Sequence, residues 1–196
     1  MAGMRKLTDE EYELIESYFS KRKKLRNLAM FSIQRWAGYR IREVLSLKLS
    51  DLYAPNGEVN ERIYIKPKNM KGGKNPRAIP IHPKLKEVLE SYREVLLSKG
   101  HFNLTCYAFQ SRKGVNNPIS SVQAWRILKN AFIENGIYEN VSTHSLRKTF
   151  CEKVYRSSGN DIVATQFVMG HKDPVTTLHY LAQNQERLDE VVLNII

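Results

Sequence analysis

The chain has 196 residues, 42% of them hydrophobic, which suffices for one sizeable core or for two small subdomains packed together. Thirty-one Lys and Arg against twenty Asp and Glu leave a formal net charge of +11, spread from Lys21 to Lys172 rather than gathered in a tail, and such a surface favours a polyanionic partner. No apolar run approaches the roughly 20 residues of a membrane span. The two cysteines, Cys106 and Cys151, show no paired spacing, so membrane insertion and a disulfide framework are excluded and a reducing cytoplasm is expected.

Thr8-Asp9-Glu10-Glu11 is a capping-box start, and Tyr12, Ile15 and Phe19 continue it at helical spacing. A basic stretch from Lys21 to Arg26 leads into a second helical pattern through Leu28, Phe31, Ile33 and Trp36, which Gly38 ends, and a further helix follows from about Ile41. Beyond Asp51 the pattern becomes β-prone. Arg62-Ile63-Tyr64-Ile65 and Arg77-Ala78-Ile79-Pro80-Ile81 flank Gly72-Gly73 and predict a hairpin. Pro83 opens a helix through Leu85, Val88, Leu89, Tyr92, Leu96 and Leu97 that Gly100 closes. Helices are then predicted near 119–135, 144–157, 160–169, 174–181 and 184–194. The fold class is therefore α+β, mainly helical with a small antiparallel sheet, and residues 1–196 are expected to form a single domain with a tail from 183.

The chemistry-bearing side chains gather in the last third. His144 and Arg147 lie at i and i+3, which puts them on one side of a helix. Gly170-His171 and then Tyr180 follow, and Arg40 stands far upstream, just past Gly38. Two guanidiniums, two imidazoles and a phenol make a coherent set for attacking a phosphodiester. Its anionic oxygens repel nucleophiles, so they must be held while charge builds in the transition state. Paired arginines do this with permanently charged planar forks that bind phosphate oxygens bidentately. A phenol with an unperturbed pKa of about 10 must lose its proton as it attacks, and His144 or His171 could assist. The departing 5′ oxygen needs a proton, which a lysine on the hairpin could supply. Lys71 is the first choice, and Lys68 and Lys74 stay open.

Ala37-Gly38-Tyr39-Arg40-Ile41-Arg42-Glu43-Val44-Leu45 resembles the first conserved box of tyrosine recombinases of the phage-integrase type. His144-Ser145-Leu146-Arg147-Lys148-Thr149-Phe150, Met169-Gly170-His171 and Thr176-Thr177-Leu178-His179-Tyr180 resemble that family's later elements, in its order and spacing, so that similarity spans about residues 7 to 181. The resemblance implies that fold, with DNA cleaved and rejoined through a 3′-phosphotyrosyl intermediate at Tyr180 and with Arg40, Lys71, His144, Arg147 and His171 as the other catalytic residues. It implies no ATP, cofactor or metal, in line with the lack of a phosphate-cradling glycine loop or acidic metal cluster in the sequence. Double-stranded DNA is the implied partner, bound by a homo-oligomer, a tetramer, with DNA-bending accessory proteins as further partners. The setting is the cytoplasm of a prokaryotic cell or its phage or mobile element.

Family members usually carry an amino-terminal core-binding domain, which this chain is expected to lack, as a catalytic fragment or as a minimal form. Glu43 is expected to buttress an arginine or backbone amides, Arg42 to project to solvent, Tyr39 to pack, His179 to be a bystander, and both cysteines to be buried small hydrophobes. The apolar end, Val191, Val192, Leu193, Ile195 and Ile196, would fold back or dock on a neighbouring protomer. Two rivals remain: a non-catalytic DNA-binding module, since Asp161 to Gly170 and Asp173 to Tyr180 resemble helices about a turn, and a type IB topoisomerase with the same phosphotyrosine chemistry.

Overall fold

The structure is a computed structural model that describes residues 4–70, 76–138, 140–181 and 193. The chain divides into two compact units, Met1–Phe150 and Cys151–Ile196, with the boundary falling inside one helix.

In the first unit, α1 (Asp9–Lys21) starts where the sequence predicts. Thr8 Oγ1 accepts from the Glu11 amide at 3.2 Å while Glu11 returns a carboxylate oxygen to the Thr8 amide at 2.9 Å, so two of the orphan amides of the first turn are satisfied. Its buried face, Tyr12, Ile15, Tyr18 and Phe19, lies on α2 (Leu25–Ala37), and the Tyr12 and Phe31 rings sit 5.7 Å apart. Nearly every residue of α2 from Leu28 to Ala37 is buried. Each fully buried Phe or Ile there contributes about 1.5–3 kcal/mol, so α2 forms the axis on which the others pack. The short α3 (Ile41–Leu45) follows directly.

The strands β1 (Arg62–Ile65) and β2 (Arg77–Pro80) pair antiparallel, with Ile63 opposite Ile79 and Ile65 opposite Arg77. The predicted hairpin strands are therefore present, while the turn residues 71–75 lie outside the described residues. Then α4 (Pro83–Ser98) packs on α2. Proline suits its first position, where no amide partner exists, and His82 Nδ1 accepts from the Lys84 amide at 3.2 Å. The buried hydroxyls of Tyr53 and Tyr92 donate to the carbonyls of Leu89 and Ala108 at 2.8 and 2.6 Å, which spares each the cost of an unmade bond. Ser120 caps α5 (Ser121–Glu134), and α6 (Thr143–Ser157) crosses into the second unit.

The second unit carries α7 (Ile162–Met169) and α8 (Pro174–Leu181). α7 starts later than the predicted residue 160 because Asn160 adopts a left-handed φ of 66° and Asp161 accepts from the amides of Val163 and Ala164. The predicted helix 184–194 and most of the tail lie outside the described residues; Leu193 is exposed. Among the described residues no helix is long and apolar enough to cross a membrane.

Candidate active site

Within the first unit the site is built around the end of α2. Gly38 takes a φ of 59°, and a Cβ there would stand 2.1 Å from the Phe150 ring, so only glycine fits this turn. The turn delivers Arg40 to the head of α3. There its amide donates to Glu43 Oε2 at 2.8 Å and its guanidinium Nη1 to Oε1 at 2.9 Å. Glu43 is buried, and Arg40 engages both of its oxygens. The Arg40 side chain keeps 28% of its surface exposed, which leaves an edge of the fork open to an incoming oxygen.

Arg147, on α6, is 1% exposed, and its Nη1 donates to the carbonyl of Gly38 at 2.5 Å, across 109 residues of sequence. His144 is exposed one turn earlier on the same helix. Partial desolvation, then the guanidiniums of Arg147 and Arg40, hold its imidazole below the ordinary histidine value. The structure thus brings Arg40, His144 and Arg147 into one positive field, and a phosphate entering that field would be attracted by all three.

Arg77 is the group that the sequence reading missed. It stands on β2 in the register of the inward-facing Ile79, 5% exposed, where the alternation of a strand calls for an apolar residue. Its Nη2 donates to the carbonyl of Ala37 at 2.7 Å, its Nη1 lies 3.8 Å from Glu43 Oε2, and its guanidinium lies 4.4 Å from the Tyr39 ring centroid. Burial first, and then the charge of Arg147, push its pKa down to about 9. A charge on the buried face of a short strand was the available signal. Tyr39 packs as expected: it is fully buried, its hydroxyl donates to Ile63 O at 2.7 Å, and burial raises its pKa.

In the second unit, Gly170 ends α7 with a φ of 62°, and His171 follows it. Gln166 clamps the turn, its carbonyl accepting from the His171 amide at 3.1 Å and its Nε2 donating to the His171 carbonyl at 3.2 Å. The imidazole is buried, and its Nδ1 lies 2.9 Å from Thr177 Oγ1 on α8. Tyr180 is one turn further along α8, half-buried, with its ring centroid 5.1 Å from that of His171. Thr177 and Tyr180 therefore share the helix face that meets His171. When the hydroxyl donates to Nδ1, the imidazole proton sits on Nε2.

Of the lysine candidates, Lys68 is exposed in the 3₁₀ turn Pro67–Asn69, and Lys71 and Lys74 lie outside the described residues. Arg42 and His179 are exposed, as expected. Cys151 is buried but Cys106 only half-buried, which corrects the expectation for the latter: it stands in an irregular stretch after Leu104, not on the inner face of a helix. Among the described residues no group of His, Cys, Asp and Glu side chains is arranged to hold a metal ion.

The model of the phage integrase family matches residues 5–187. Tyrosine recombinase XerD of Oceanobacillus iheyensis is 28% identical over 187 residues, covering 93% of this chain and 59% of the relative. The chain thus spans about three fifths of the length of the curated relatives it matches first. A crystal structure of XerA recombinase superposes with a TM-score of 0.77 at 25% identity, covering 97% of this chain and 65% of that one. A post-cleavage complex of XerH site-specific recombinase bound to its palindromic difH substrate gives a TM-score of 0.73 at 22% identity, with 97% and 53% covered. The fold is that of tyrosine recombinase catalytic domains, mostly helical with a small antiparallel sheet. The chain belongs to the phage integrase family.

Proposed function

We propose that the chain is the catalytic part of a site-specific DNA recombinase or integrase that cuts and rejoins DNA without a metal or other cofactor. The observation that carries this reading is the Arg40–Glu43 pair with the buried Arg147 and the exposed His144, in a chain of this family. Arg40 and Arg147 hold the non-bridging oxygens of the scissile phosphate and stabilise the charge of the five-coordinate transition state. Glu43 fixes the Arg40 fork. The phenolic oxygen of Tyr180 attacks phosphorus and forms the P–O bond of a 3′-phosphotyrosyl intermediate. The P–O5′ bond breaks, its electron pair leaves with O5′, and a hairpin lysine supplies the proton. Lys71 is preferred for this, with Lys68 or Lys74 as the alternatives. His144 or His171 takes the phenol proton. Attack by a 5′-hydroxyl of a partner strand then reverses the chemistry, so one phosphoester replaces another and no external energy is consumed.

Exchange between strands needs several active sites on one assembly, so the proposed partner is double-stranded DNA held by a tetramer of this protein. The apolar end beyond Asn184 would dock on a neighbouring protomer, with DNA-bending accessory proteins as further partners. The proposed setting is the cytoplasm of a prokaryotic cell or of the host of a phage or mobile element. That XerH has been captured with its DNA after cleavage supports a DNA substrate for this relative of the same fold.

Covalent trapping tests the reading. The protein and its Tyr180→Phe variant are incubated in chelator with a broad set of nicked suicide duplexes, and denaturation-resistant adducts are counted. An adduct with the parent and none with the variant is expected. DNA binding without an adduct from either would overturn the catalytic reading in favour of a DNA-binding module. Relaxation of supercoiled DNA without any strand exchange would favour a topoisomerase.

A further inference from the structure

Two adjacent backbone carbonyls at the end of α2 are each taken by a guanidinium from elsewhere in the chain: Ala37 O by Arg77 and Gly38 O by Arg147. The same Arg77 lies against Glu43, whose two oxygens hold Arg40. One side chain of β2 is therefore tied to the supports of both arginines assigned to the phosphate. The tie to Arg147 runs through the Ala37–Gly38 turn, and the tie to Arg40 through the Glu43 carboxylate.

We infer that Arg77 is a positioning residue of the proposed strand-cleavage reaction, setting the spacing of Arg40 and Arg147 without itself touching the DNA. The inference rests on the functional reading above and deepens it. Its 5% exposure, beneath the Tyr39 ring and against the Ala37 carbonyl, leaves it no open edge for a phosphate. Arg40, by contrast, keeps such an edge.

Charge balance points the same way. Arg40 and Arg77 share the carboxylate of Glu43, and the repulsion of Arg77 by Arg147 and Arg40 is among the causes that lower its pKa. A cation in such a place is unfavourable unless fixed by good hydrogen bonds. A merely structural filler of this volume would be better served by a Met or Leu, which would carry no repulsion. What the guanidinium adds is its planar fork, which can face a carbonyl, a carboxylate and an aromatic ring at once. A lysine has the charge but not the fork.

The test compares Arg77→Lys and Arg77→Met with the parent in three measurements: single-turnover cleavage of a nicked duplex at saturating protein, affinity for that duplex, and thermal unfolding. Positioning predicts that Arg77→Lys loses about 10- to 100-fold in cleavage rate, the scale of a misplacement near 1 Å, while affinity and unfolding temperature stay close to the parent. It also predicts that Glu43→Gln added to Arg77→Lys costs little more than either alone, because both act through one chain of contacts. Full rescue by lysine, multiplicative losses in the double variant, or a rate loss that merely follows the unfolded fraction would each overturn the inference. A second readout separates it from the functional reading: inorganic phosphate titrated into the chain and followed on the His144 imidazole signals. Arg77→Lys should weaken that response even if the parent never cleaves DNA, in which case only the functional reading falls. A parent-like phosphate response in the variant, or none in the parent, overturns the positioning role.

Discussion

The two units hold their candidate groups in different ways. In the first, Arg147 reaches back across 109 residues to the Gly38 carbonyl, and Arg77 reaches across 40 to that of Ala37, so the arginine geometry exists only when distant parts of the chain have come together. In the second, His171 is fixed by Thr177, six residues away, and by Gln166, five residues away, and Tyr180 sits on the same helix as Thr177. The arginines proposed to hold the phosphate are thus part of a folded core, whereas the imidazole and phenol belong to a local motif of two short helices. Damage to the first should spread into stability, and damage to the second should stay with the chemistry.

The largest effect expected from this contrast follows Gly38→Ala. A left-handed backbone costs a residue with a Cβ about 1–2 kcal/mol, and forcing that atom into the Phe150 ring adds about 1–3 kcal/mol of overpacking. Because the Gly38 carbonyl also anchors Arg147, stability and cleavage should fall together. Denaturant unfolding should show a loss of about 3 kcal/mol, and a loss below about 1 kcal/mol would mean that the turn is not the lock described here.

Thr177→Val sharpens the other side of the comparison and should do less. It removes the hydroxyl beside His171 Nδ1 and keeps the shape, so the stability cost is about 1 kcal/mol, that of one buried hydrogen bond. The imidazole loses the contact that selects its tautomer and orientation. Cleavage of a nicked duplex should slow by about 10-fold, in the lower part of the range for a misdirected acid or base. An unchanged rate would show that Thr177 packs but does not orient.

How much of this was legible in the sequence depended on range. The Thr8 capping box, the helix-ending Gly38 and Gly170 and the helix-opening Pro83 act within one turn of the chain, and each marks a boundary of the observed helices. Glu43 was legible as a buttress because its partner Arg40 is one helical turn away. Arg77 was not, because strand alternation says which face a residue takes but not that a charge on the inner face meets a carbonyl and a carboxylate on other elements. The delay of α7 by Asn160 escaped for another reason. Periodicity locates an apolar face, while a single left-handed residue decides where the hydrogen-bonded turns begin.

The smallest effect is also the most direct probe of the first unit's field. His144 has its imidazole held below the ordinary histidine value by partial desolvation and then by Arg147 and Arg40, which favours its neutral form. A depressed pKa in the folded state means that the unfolded chain binds more protons between the two values. Stability contributed by the neutral imidazole is therefore present above about 6.5, the unfolded value, and is lost as pH falls through it to the folded pKa. The loss is small because the side chain is exposed and salt screens it. Titration of the His144 ring protons by NMR should give a midpoint under that of a free histidine. Arg40→Ala should raise the midpoint without bringing it back fully, since desolvation comes first among the causes and Arg147 remains. An anion bound between the arginines should also raise it, by cancelling their field where it is felt. A midpoint at or above the free value, in the absence of any anion, would mean that the arginines do not act together on the space beside His144, and the contrast between arginines fixed by long-range contacts and an imidazole and phenol held locally would lose its first term.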